Sequence, residues 1–176
     1  MQRDLPGFWL RAATEADAGE VARIAEATFR QAFGSANSVR DIDIHCAKSF
    51  GHALQLAEIQ DPRVLTIVVE ATPGLVGYGQ LRAGHAPECI KARSAREIHR
   101  FYVDHGWHGK GVAQALMARL LQSARAEGSD CVWLGVWERN PRAIAFYQKA
   151  GFAVVGEHAF KLGDDTQRDV IMSRDI

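Results

Sequence analysis

The hydrophobic positions form short runs that switch between a period of two and a period of 3.6 residues, the signatures of strand and helix. Residues 8–12 (FWLRA) predict a short first strand. Val21, Ile24, Ala25, Thr28, Phe29, Ala32 and Phe33 then predict one amphipathic helix, with Thr14 as N-cap, Asp17 as the acidic half of a capping pair and Gly34 as the stop. Across 38–60, Ser38 can cap a helix and Ala47, Phe50 and Leu54 make a partial stripe. Gly51 interrupts it, so one long helix and two short ones fit equally well.

Three strands follow in the pattern: VLTIVVE (64–70), LVGYGQLRA (75–83) after the turn TPG (72–74), and EIHRFYV (97–103) after a polar loop at 84–94. Strict alternation in the third puts Glu97, His99, Phe101 and Val103 on one face and Ile98, Arg100 and Tyr102 on the other. The stretch 106–128 predicts a helix with glycines at its start, striped by Ala113, Leu116, Met117, Leu120, Leu121 and Ala124. CVWLGVW (131–137) reads as a buried strand in which Trp133 and Trp137 flank Gly135 as a core or dimer-contact stripe. A further helix is capped by Asn140, opened by Pro141 and ended by Gly151. FAVVGEHAF (152–160) and QRDVIMSRD (167–175) close the chain as a hairpin around GDDT. The order β-α-α-βββ-α-β-α-ββ predicts a single α/β (α+β) domain over 1–176. Its sheet is mixed and largely antiparallel, of six to seven strands, flanked by about four helices.

Composition narrows the function. The 176 residues carry 21 Lys plus Arg against 21 Asp plus Glu. This balance argues against binding to nucleic acid phosphates and against a polybasic membrane anchor. No run approaches the ~20 apolar residues of a membrane-spanning helix. The N-terminus meets acidic residues too early for a signal peptide, and three widely spaced cysteines (Cys46, Cys89, Cys131) do not form a disulfide framework. A cytoplasmic setting is the expectation. The seven histidines match no zinc spacing, and no metal site is expected.

The segment with the clearest chemistry is the strand–turn–helix containing HGKGVA. Unpaired N–H groups at a helix start and its positive dipole end make an anion site, and Gly109 and Gly111 let the backbone approach a phosphate closely. His108 and Lys110 can add side-chain donors. The dinucleotide pattern GxGxxG fails for want of its third glycine, and the P-loop pattern is absent.

GWHGKGVAQAL, followed across a Trp-rich strand by NPRAIAFYQKAGF, resembles the two motifs of the GCN5-related N-acetyltransferases (GNAT). The first matches at His108, Gly111 and Ala113; the second matches at Asn140, Ala145, Phe146, Tyr147, Lys149, Gly151 and Phe152. The resemblance covers essentially the whole chain. EIHRFYV, WLGVWERNPRAIAFYQKAGF, GDDTQRDVIM and TFRQAFGSANS are further similar to stretches of the PaiA-type spermidine/spermine acetyltransferases. Position 108, usually Gln or Arg in the family, is His here.

This resemblance implies acetyl-CoA as co-substrate and a primary amine of a small molecule, such as a polyamine, as acceptor. The amine would attack directly, through a tetrahedral intermediate. It implies that the fourth and fifth strands splay apart around the pantetheine arm, which pairs near Phe101, Tyr102 and Val103. The pyrophosphate would be held chiefly by the backbone of Gly109, Lys110, Gly111, Val112 and Ala113, with His108 assisting, and Asn140 would contact the arm. Glu97, through water, is the first candidate base and His99 the second. Tyr147 would protonate or hydrogen-bond the leaving sulfur. Acceptor specificity is expected from 34–60 and 84–95, where Asp41, Asp43, Glu58 and Asp61 could attract a polyamine. A homodimer through the C-terminal strands is a further expectation. Two other readings share these motifs: acetylation of a protein N-terminus or lysine, and a non-catalytic acetyl-CoA-binding regulator.

Overall fold

A computed structural model describes residues 7–176. Seven strands form one sheet: β1 (Phe8–Ala12), β2 (Val64–Ala71), β3 (Gly74–Ala83), β4 (Ala95–Val103), β5 (Cys131–Trp137), β6 (Ala153–Leu162) and β7 (Asp165–Asp175). Their spatial order is β1-β2-β3-β4-β5-β7-β6. Every pair is antiparallel except β4 with β5. The helices are α1 (Ala18–Phe33), α2 (Val39–Ser49), α3 (His52–Gln60), α4 (Val112–Ala126) and α5 (Pro141–Lys149). The expected four become five because the 38–60 segment divides at Phe50 and Gly51 into two short helices. No helix among the described residues is long and apolar enough to cross a membrane.

Two cores cover the two faces of the sheet. Leu116, Leu120 and Leu121 of α4 pack with Leu81, Ile98, Val132, Leu134 and Met172 on one face. Val21, Ile24 and Phe29 of α1 and Ile42 and Cys46 of α2 pack with Val68, Tyr78 and Leu162 on the other. The α1 and α4 sets are the apolar stripes read from the sequence, buried as units. In 38–60 only Phe50 of the expected stripe is buried: Ala47 and Leu54 are exposed and Ile42 and Cys46 take the core positions, because the break at Phe50 and Gly51 resets the helical phase.

The alternation expected in β4 fails at one residue. Gln80 of β3 faces Arg100 while Leu81 faces Ile98, so His99 is an extra residue, a β-bulge. The bulge resets the alternation. Ile98, Phe101 and Val103 belong to the α4 face. Tyr102 belongs to the α1 face, as does Arg100, whose guanidinium lies 5.0 Å from the Phe50 ring centre. Glu97 therefore does not share a face with Phe101 and Val103.

A capping pair opens the first helical segment as expected: the Thr14 N–H donates to Asp17 Oδ2 at 2.7 Å. Arg11 also donates to both Asp17 oxygens at 2.8 Å. These donors, Arg11 first, hold the nearly buried carboxyl down at about 2. A carboxylate with a depressed native pKa stabilises the fold above its unfolded value of about 3.9 and stops doing so below its native one. Asp17 should thus contribute about 2 kcal/mol at neutral pH, lost as pH falls from about 4 to about 2. Urea denaturation of wild type and Asp17→Asn across this window checks it: the two curves should converge at the acid end, and a constant gap would contradict the assignment.

Candidate active site

β4 and β5 pair only over Ala95–Glu97 and Cys131–Trp133. Beyond these residues the strands diverge, and Phe101 meets Phe146 and Tyr147 of α5 at ring-centre distances of 5.6 and 6.0 Å. The cleft holds two cavities. One, of about 500 Å3, runs from the glycine turn to Tyr147; the other, of about 410 Å3, runs from Tyr147 to the β6–β7 hairpin. Phe101, Tyr102, Asn140 and Tyr147 border both, so the cavities meet at the tyrosine.

The first cavity has the features of an anion-ended groove. Gly109 and Gly111 adopt φ of +76° and +82°. Gly111 caps α4 without a side-chain acceptor, so the first-turn N–H groups remain open to a ligand. Val103, His108, Gly109 and Ala113 also border the groove. The other turn residues sit beside it: Lys110 Nζ lies 4.9 Å from the Trp107 ring centre, and the Val112 side chain is fully buried in the core.

The His108 ring is held by protein groups on both sides. Arg142 Nη2 donates to His108 Nδ1 at 2.8 Å, which leaves the ring proton on Nε2, donating to the Val103 carbonyl at 2.9 Å. Both ring nitrogens are occupied, and the Val103 carbonyl is taken as well. Arg142, which sequence reading missed, instead carries the positive charge at the mouth of the groove. It lies 34 residues from His108, and only the fold brings them together.

In the second cavity Glu97 is tied down. Arg82 donates to Glu97 Oε2 from Nε at 3.0 Å and Nη2 at 2.7 Å, and His99 Nδ1 stands 3.7 Å from Oε1. Burial alone would raise the Glu97 pKa, but the His99 and Arg82 donors outweigh it and hold the carboxyl below its ordinary value. Arg82 Nη1 approaches His99 Nε2 at 3.4 Å. As an arginine only donates, this contact occupies the Nε2 lone pair and turns Nδ1–H toward Glu97. Tyr147 is pushed well above the usual phenol range, by burial first and then by Tyr102. Its hydroxyl stays protonated, and complete transfer to a thiolate, whose conjugate acid lies near about 8.5, runs uphill. A hydrogen bond to the sulfur is what this group can supply.

Most of the acidic residues expected to attract a polyamine are paired with arginines. Asp41 accepts from Ser38 Oγ, Asp43 pairs with Arg30 at 2.8 Å, Glu58 with Arg100 at 2.8 Å and Asp61 with Arg63 at 2.8 Å. Asp43, Glu58 and Asp61 are thus neutralised by arginines within the chain, while Asp41 keeps its charge, held by the Ser38 hydroxyl and the Asp164 N–H. Of the two segments expected to set specificity, the first contributes His45 and Ser49 to the cavity wall. Besides the β3–β4 cluster of Arg82, Glu97 and His99, the β6–β7 hairpin, which sequence reading did not single out, adds His158, Gln167 and Asp169. The hairpin tip is clasped to α2. The Asp164 N–H donates to Asp41 at 3.0 Å, Arg40 pairs with Asp164 at 3.2 Å, and Gln167 donates to Asn37 at 2.6 Å. A Cβ on Gly163 would lie 2.6 Å from the Asp41 Cα, so the approach requires glycine.

The profile of the Acetyltransferase (GNAT) family matches residues 22–152, and the chain belongs to this family. An uncharacterized N-acetyltransferase from Mycobacterium tuberculosis is 32% identical over 160 residues, 91% of this chain and 98% of that protein. The PaiA N-acetyltransferase of Thermoplasma acidophilum, solved in complex with coenzyme A, has the same fold: its TM-score is 0.78 over 96% of this chain and 99% of that one, at 19% identity. The spermine/spermidine N(1)-acetyltransferase of Bacillus subtilis is 35% identical over 65 residues, 36% of this chain and 42% of its own. The protein is an N-acetyltransferase with acetyl-CoA as co-substrate, and the open helix start and divergent strands fit that molecule.

Arg142→Ala should raise KM for acetyl-CoA by about tenfold, and His108→Ala should do so through loss of the arginine's position. Rates with S-acetyl-N-acetylcysteamine, which has no phosphate, should not change. Equal losses with both donors would contradict a phosphate role.

Proposed function

We propose that the enzyme acetylates a primary amine of a small, positively charged molecule, of which polyamines are the nearest chemical example. The observation that carries this reading is the clasp between α2 and the β6–β7 turn. It joins the two walls of the acceptor cavity, and a peptide would need an open groove there. The partial similarity to a spermine/spermidine N(1)-acetyltransferase favours the same acceptor class.

Acetyl-CoA supplies the activated acetyl group. Tyr147 donates a hydrogen bond to the departing sulfur, and Asn140 orders the arm beside it. An ammonium has no lone pair, so the acceptor must first lose a proton. Glu97, ionised at neutral pH, accepts it through water, while Arg82 and His99 fix the carboxylate in place. None of the three cysteines borders either cavity, which favours direct transfer over an acetyl-enzyme.

Release of free thiol from acetyl-CoA, measured with spermidine, spermine, simple amines and N-terminal peptides, tests the reading. Turnover is expected with the small cationic amines. Tyr147→Phe should lower kcat by about tenfold or more with KM for acetyl-CoA unchanged. Turnover on peptides alone would assign the enzyme to protein acetylation. Tight acetyl-CoA binding with no release on any amine would support a regulator instead.

A further inference from the structure

Two carboxylates border the acceptor cavity, Glu97 and Asp169, and the fold treats them differently. Glu97 is matched by Arg82. Asp169 lies on β7, opposite Trp137 of β5 and His158 of β6. Among the described residues it has no arginine or lysine partner; its nearest ionisable neighbour is His158, with Nε2 3.7 Å from Oδ2. The residue is only 9% exposed, and Oδ1 is buried with no hydrogen-bond partner. A buried carboxylate oxygen without a donor is uncommon, because the hydrogen bonds given up to water are not replaced. Burial raises the Asp169 pKa, and His158 offsets this only in part.

The surroundings leave room for the missing donor. Gly135 stands on β5 between Trp133 and Trp137. A Cβ there would lie 3.0 Å from His158 Nε2 and 3.4 Å from Asp169 Oδ2, so the absent side chain keeps the space before the pair open. Trp137 and Phe33, with ring centres 5.6 Å apart, add an aromatic wall of the kind that suits a cation. Tyr147 borders the same cavity where it joins the cofactor groove.

We propose that Asp169 anchors a second, non-reacting ammonium group of the acceptor, so that the enzyme selects small diamines and polyamines over monoamines. The inference rests on the small-amine reading and adds its specificity determinant. An ammonium brings three donors and a full positive charge into a site that lacks both. Rotation about the carboxylate's terminal torsion can present either oxygen to it.

The test compares putrescine with butylamine, which lacks the second charge, by kcat/KM and by calorimetric binding to the CoA-complexed protein. Wild type should prefer putrescine by at least about tenfold. Asp169→Asn should bring the two amines within about threefold, with the loss residing in KM for putrescine. Its CoA affinity should be unchanged and its Tm unchanged or higher, since a buried unpaired charge is removed. Gly135→Ala, which fills the space and keeps the carboxylate, should also erode the preference. A preference that survives Asp169→Asn overturns the inference alone, as does an equal fall in kcat on both amines. If wild type neither acetylates nor binds either amine, the small-amine reading fails and the anchor with it.

Discussion

β4 and β5 are held together by three residue pairs, and beyond Glu97 and Trp133 the facing edges separate. Backbone N–H and C=O groups inside a protein are almost always paired, so a sheet that opens in its middle needs a cause and a use. The cause is local. The extra residue at His99 bends β4 and changes its twist, and Phe146 and Tyr147 of α5 pack against Phe101 in the gap. The use follows from what the gap offers: an extended edge for a flexible arm, ending at a helix start whose amides are open to phosphate.

The rest of the chain is arranged around that opening. α4 and α5 lie on one face and bring the glycine turn and Tyr147 to it. α1 and α2 lie on the other and, with the β6–β7 hairpin clasped to α2, wall the second cavity. The charges are sorted accordingly. Arg142 stands beside the glycine turn, held by His108. Glu97 is neutralised by Arg82 in the acceptor cavity, and Asp169 faces the same space without such a partner. Two carboxylates in one cavity thus differ in environment, the usual means by which a fold assigns them different tasks.

Much of this was legible in the sequence because it is local. The apolar stripe of α1, the Thr14–Asp17 cap, the Asn140–Pro141 helix start and the glycine turn are each set by residues within a few positions of one another. What escaped depends on distant partners or on register. Alternation cannot reveal a bulge, because the extra residue at His99 is defined only against β3. The His108–Arg142 contact spans 34 positions and the Asp41–Asp164 contact 123. Asp169 is set apart only by its burial and the lack of a cationic partner other than His158, which depend on strands far apart in the chain. The acidic residues that seemed available for a polyamine were each already engaged, which no spacing rule could reveal.

In the proposed reaction the two cavities meeting at Tyr147 let acetyl-CoA and the amine occupy the enzyme together, so that the acetyl group passes directly between them. Initial rates measured over a grid of acetyl-CoA and amine concentrations distinguish this from a covalent relay. Direct transfer from a ternary complex predicts double-reciprocal lines that intersect. Parallel lines, the signature of a covalent acetyl-enzyme formed before the amine binds, would contradict it.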